Sequence, residues 1–182
     1  MHLFVPYIGF YAAQSIFGTY LNLYFNDIGY TKTQMGTFTS ISTLTVLLVQ
    51  PFWGIVSDKA RNKVNVIRML LVLSAVMILG FYFSINFYFI LFVDTLFCMF
   101  YNPAPPLMDN IALEVLENEK SSFNFGHIRM GGTIGYALGV LIVGQLLHDN
   151  YRNIFYMISL LMFFAALGYA KTPASPTLMP NM

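Results

Sequence analysis

Six stretches of about 20 predominantly apolar residues follow one another along the chain, and they constrain its fold more than any other feature. A helix of about that length satisfies its own backbone hydrogen bonds across roughly 30 Å of hydrocarbon. The stretches fall at 3–25, 34–56, 66–85, 87–115, 128–147 and 153–170. Polar breaks at 26–33, 57–65, 86, 116–127 and 148–152 separate them. The runs are continuously apolar rather than alternating, which argues against a β-barrel. Composition agrees, with 57% of the 182 residues apolar and 9% charged. A soluble domain carries about 25% charged residues. So little charge excludes a soluble enzyme or a disordered chain, and a net charge of +1 offers nucleic acid no basic patch. A single cysteine, Cys98, excludes a disulfide framework and a Cys-based metal site within one chain. The expectation is an all-α, multi-pass membrane protein with no cofactor and no metal.

The first stretch lacks a Lys/Arg-rich leader and a small-residue cleavage site, so it is expected to be a retained span. Orientation follows from the basic residues in the breaks. Lys59, Arg61, Lys63 and Arg68 flank the second break, Lys120 lies in the fourth and Lys171 follows the last span, while Lys32 and Arg152 fall on the opposite side. The balance puts both termini in the cytoplasm of a cell-membrane protein. Residues 1–170 are expected to form the bundle. Residues 171–182, with Pro173, Pro176 and Pro180, are expected to form a non-helical cytoplasmic tail.

An ionisable residue inside an apolar span is expensive, which makes each one a candidate site. Asp94 and Asp109 lie in the fourth span, and Arg129 begins the fifth. Asn102 precedes Asp109 by seven residues and would share its face on a regular helix. Pro103, Pro105 and Pro106 interrupt that helix and free carbonyls, which is tolerated against protein or a watery cavity. A carboxylate has little reach, so Asp109 is expected to face a cavity rather than snorkel to the surface. For Asp94, nearer the outer end, the two readings stand level. Arg129, Gly132 and Tyr136 lie on one stripe of the fifth span. Gly131, Gly135 and Gly139 repeat on a neighbouring stripe that permits close helix approach. An Arg129–Asp109 pair with the ring of Tyr136 suits a hydroxyl-rich ligand with an apolar face, such as a sugar or nucleoside. A tyrosine that only packs or anchors is the plain alternative for Tyr136.

The stretch Leu48-Val49-Gln50-Pro51-Phe52-Trp53-Gly54-Ile55-Val56-Ser57-Asp58-Lys59 resembles the signature between the second and third helices of the major facilitator superfamily. A second block, Phe123-Asn124-Phe125-Gly126-His127-Ile128-Arg129-Met130 continuing through Gly135-Tyr136-Ala137-Leu138, is similar to the lactose permease branch of proton-coupled sugar and nucleoside symporters. The resemblance implies six transmembrane helices forming one half, a 3+3 inverted repeat, of a major facilitator fold. By matching position, it implies that Arg129 is the sugar-binding arginine and Tyr136 the stacking aromatic, with Tyr where lactose permease has Trp. Asp109 is similar to the acidic partner on the fourth helix, across a short alignment gap. Asp58 resembles the signature aspartate, a conformational latch, with Gly54 giving helix clearance and Lys59, Arg61 and Lys63 the basic run. Ala60 replaces a usual Gly.

Family members have two such halves, and the residues they use for proton coupling lie in the second. The implied partners are therefore a small polar solute, protons, the bilayer and a missing C-terminal half or a second copy. The expectation is a fragment of a rocking transporter; a non-transporting scaffold, or a half-transporter acting as a dimer, is the alternative. A water channel would need a second copy of Asn102-Pro103-Ala104, an intramembrane protease a serine facing a histidine, and a lipid-transferring enzyme clustered aspartates.

Overall fold

The computed structural model describes residues 3–119, 124–146 and 151–172. Lys120, His148 and the proline-bearing tail from 173 onward lie outside the described residues. Seven α-helices and no strand occur among the described residues: α1 (Phe4–Asp27), α2 (Lys32–Lys59), α3 (Lys63–Ile78), α4 (Phe87–Tyr101), α5 (Ala104–Glu119), α6 (Phe125–Leu146) and α7 (Asn153–Gly168). A 3₁₀ turn, Leu79–Tyr82, extends α3, and another, Tyr169–Lys171, follows α7.

Local chemistry sets the helix ends. Gly29, at φ 82°, makes the turn after α1, a conformation that costs a residue without Cβ little. Thr31 and Gln34 then form a reciprocal capping box at the start of α2. The Asn62 side chain accepts from Val64 N at 2.9 Å to cap α3, and Asn86 accepts from Tyr88 N at 3.0 Å to cap α4. The fourth stretch, expected to be interrupted at its prolines, is two helices. A turn at Asn102 and Pro103 divides them, because Pro103 has no N–H to give. Pro105 and Pro106 fall in the first turn of α5, where the missing N–H groups cost nothing.

Among the described residues, three helical stretches are long and apolar enough to cross a membrane: Lys32–Lys59, Lys63–Tyr82 and Phe87–Glu117; Asn153–Gly168 is a shorter apolar helix. α1 and α6 have the length, but tyrosines and Gln14 dilute the apolar character of α1, and glycines that of α6. Leu44, Leu47 and Leu48 on α2 and Leu160, Phe163 and Phe164 on α7 are largely exposed, as befits helices solvated by lipid or another protein surface.

α1 packs on α6 and α7, α3 on α7 and α4, and α2 on α4. The α1–α6 contact is backbone-close. A Cβ on Gly131 would meet Phe4 Cδ2 at 2.8 Å, one on Gly135 would meet Ile8 Cα at 2.8 Å, and one on Gly139 would meet the Ala12 carbonyl oxygen at 2.7 Å. The glycine stripe is thus a packing surface, as its spacing implies. Tyr20 Oη adds a bond to the Val140 carbonyl at 2.9 Å. Rings tie other helices together: Phe25 stacks on Phe38 at 4.5 Å, Phe81 on Phe155 at 4.8 Å, and Phe10 on Tyr101 at 5.5 Å.

Gly135→Ala should lower the thermal midpoint in detergent and destabilise the bundle by about 1–3 kcal/mol, since backbone cannot yield as a side chain can. Gly36→Ala, where a Cβ has nothing within 4 Å, should be neutral or mildly stabilising. Equal midpoints for the two variants would show that α1 and α6 do not meet through that stripe.

Candidate functional site

Asp109, in the second turn of α5, holds two partners. Its Oδ1 accepts from Tyr7 Oη of α1 at 2.7 Å, and its Oδ2 faces Arg129 Nη1 of α6 at 3.4 Å. The Asp109 side chain is 25% exposed and that of Arg129 is 59% exposed. The Arg129 guanidinium also lies 5.9 Å from the Phe125 ring centre, over a face that attracts cations. The expected pair therefore forms, loosely seated on the arginine side and firmly held on the tyrosine side.

Around the pair, Tyr7 stacks against Tyr11 with centres 5.9 Å apart. Tyr11 lies against Gly132, where a Cβ would come within 2.7 Å of its Cδ2. Gly132 is on the stripe between Arg129 and Tyr136, so the missing side chain makes room for Tyr11. Tyr136 is 44% exposed, about 10 Å along α6 from Arg129 by helical rise. The assembly offers an open guanidinium, an oriented carboxylate and the phenol rings of Tyr11 and Tyr136, with Tyr7 buried behind the carboxylate. Its hydrogen-bonding capacity and flat apolar surface are those a polyhydroxyl ring requires.

Two sequence expectations fare differently. Asn102 stands at the turn between α4 and α5. It lines a separate cleft with Asp94 and Ser42. Asp94 is buried, 1% exposed, so of its two readings the protein interior holds.

At the α2–α3 connection, Lys63 Nζ lies 3.9 Å from Asp58 Oδ1 and forms a second, closer ion pair with Glu114 of α5. Asp58 is largely exposed, as are Lys59 and Arg61. Gly54 gives no clearance within this bundle: among the described residues nothing lies within 4 Å of a Cβ built there. Sequence reasoning missed Tyr7, Tyr11 and Glu114. Glu114, an acid inside an apolar stretch, carried the same signal as Asp109; Tyr7 was one of twelve tyrosines with no spacing to single it out.

The fold is that of an all-helical membrane protein with ionic groups drawn inward. A family model described as "MFS_1 like family" matches residues 1–179, and the chain belongs to that family, within the major facilitator superfamily. It is 28% identical over 148 residues to the maltose permease of Geobacillus stearothermophilus, covering 81% of this chain and 37% of the relative. It is 32% identical over 173 residues to the multidrug resistance protein MdtG of Rahnella sp., covering 89% of this chain and 41% of that protein. MdtG of Yersinia enterocolitica aligns over the whole chain at 30% identity, covering 46% of its own length. The chain thus spans less than half the length of these relatives.

Combining Tyr7→Phe with Asp109→Asn should reveal coupling of roughly 1 kcal/mol or more in a double-mutant cycle of unfolding, as groups sharing a charge-assisted bond couple. Additive effects would mean the phenol does not hold the carboxylate.

Proposed function

We propose that the chain is the N-terminal half of a secondary active transporter, moving a polar solute (sugar, oligosaccharide or nucleoside) together with protons by rocking alternating access. In this reading residues 1–170 cross the cell membrane six times. α1–α3 form one triplet and α4/α5, α6 and α7 the inverted second, with both termini and the 171–182 tail cytoplasmic. The missing wall of the site comes from a C-terminal half or a second copy. The observation that carries the reading is the Asp109–Arg129 pair, fixed by Tyr7 on one side and open on the other. The maltose permease relative supports a sugar.

Relatives named as multidrug resistance proteins favour a second reading, an apolar or cationic drug. The exposed guanidinium of Arg129 speaks against it for cations, since it repels them. Uptake of labelled maltose, uridine and a lipophilic cation separates the two readings. It is measured in cells expressing this chain alone and with the C-terminal half of the maltose permease. Uptake of only the cation would overturn the polar-solute reading, and uptake of none in either strain would favour a non-transporting membrane protein.

Arg129→Ala should weaken solute binding about 10- to 100-fold, the worth of one or two charge-assisted hydrogen bonds. Tyr136→Ala should weaken it strongly and Tyr136→Phe modestly, read by equilibrium dialysis. Unchanged affinity in Arg129→Ala would remove the site while leaving the fold.

Asp58 is read as the conformational latch, with Lys59, Arg61 and Lys63 as its basic run and Gly54 facing the other half. Asp58→Asn should slow net uptake several-fold with binding unchanged. Uptake at the native rate would show that the latch is idle.

A further inference from the structure

A cleft of about 310 Å³ opens between α1, α2 and α4, on residues other than Arg129, Asp109 and Tyr136. Asp94 stands in its wall, 1% exposed. Its Oδ2 accepts from Ser42 Oγ at 2.7 Å, while Oδ1 is buried with no hydrogen-bond partner. An unpaired carboxylate withdrawn from water is costly by several kcal/mol unless a cation or a proton neutralises it. None of the residues lining the cleft is Lys, Arg or His. The groups that face Asp94 are neutral on each side. α1 brings Asn22 and aromatic or small residues, and α2 brings the hydroxyls of Thr39, Ser42 and Thr43. On α4 itself the other titratable group is Cys98, one turn on, and where α3 ends Gly80 packs against Val93. A lone carboxylate with one satisfied and one free oxygen, beside space that admits water, has the makings of a proton carrier. It has few of the oxygen ligands a metal ion would gather.

We propose that Asp94 is a proton-carrying site of this half. Oδ1 takes up a proton while the cleft is open to water on one face, forming a neutral carboxylic acid whose carbonyl oxygen, Oδ2, keeps the Ser42 bond. The neutral form crosses the occluded state without a buried charge, and the proton returns to water on the other face. As a proton site this stands on the cleft alone. As the coupling site it rests on the transporter reading above.

Infrared difference spectroscopy of the full chain in liposomes, titrated between acid and alkaline buffers, tests the first part. A protonated-carboxyl stretch should appear in acid, shift on ¹³C-aspartate labelling, move to higher frequency in Ser42→Ala and vanish in Asp94→Asn. The labelled wild type and Ser42→Ala keep the test decisive if Asp94→Asn does not fold. Absence of a band that responds to both, or its loss on adding sodium chloride at constant pH, would overturn the proposal. For coupling, the chain is co-expressed with the C-terminal half of the maltose permease, and maltose is the probe. Asp94→Asn should retain maltose counterflow and lose accumulation driven by a pH gradient. Undiminished accumulation in that variant would overturn the coupling role. Failure of counterflow in the wild type would instead defeat the transporter reading and leave the proton site standing.

Discussion

The close approach of α1 to α6 governs the rest of the arrangement. Between lipid-solvated helices there is no hydrophobic gain from association, so tight packing and interhelical hydrogen bonds must hold them. Gly131, Gly135 and Gly139 remove the side chains that would keep α1 away, and Ile8 and Ala12 settle backbone-close into the space. That contact fixes the register of α1. Tyr11 then lies against Gly132, and Tyr7, one turn earlier, reaches Asp109. A chemically featureless stripe thus aims the polar groups beside it.

The break after α4 has the complementary effect. A continuous helix would carry Asn102 and Asp109 on one face. The fourth span, divided at Asn102 and Pro103, carries acids that meet different neighbours. Asp94 bonds Ser42 of α2, Asp109 bonds Tyr7 of α1 and faces Arg129 of α6, and Glu114 pairs with Lys63 of α3. Each acid ties its segment to a different neighbour. Their common span therefore links much of the bundle by polar contacts, which in an apolar medium substitute for the hydrophobic core of a soluble protein.

Much of this was legible in the sequence, for reasons that also mark its limit. Apolar length and glycine spacing report on single helices and their surfaces, so α1–α3, α6, α7 and a close-packing face on α6 could be anticipated, but not that α1 fills it. The Asp109–Arg129 pair could be anticipated too, because two opposite charges in an apolar medium find each other at a heavy penalty otherwise. Tyr7 and Tyr11 could not, since a phenol is tolerated against lipid, headgroup or core alike and its position reveals nothing until the neighbouring helix is placed. Asn102 sits where a turn follows α4, and periodicity alone does not say which neighbours a residue beside a proline meets. Asp94 stayed ambiguous because depth along a span does not tell which way a side chain faces.

The two halves of the ion pair are treated unequally, and that inequality suits a ligand site better than a structural one. A buried pair built for stability would satisfy both partners and shut out water, since leaving either unpaired costs several kcal/mol. Here the phenol of Tyr7 fixes the carboxylate in place, while the guanidinium is more than half exposed and 3.4 Å from its acid, longer than a good N–H···O bond. Arg129 therefore retains donors that water satisfies at little cost, and a guest bearing hydroxyls can replace that water without first breaking a strong internal contact. In the proposed transporter, Asp109 would supply the fixed reference against which such a guest is oriented. Rigidity on the acid and freedom on the base are what one ion pair would need to hold its helices in register and still serve the proposed ligand site.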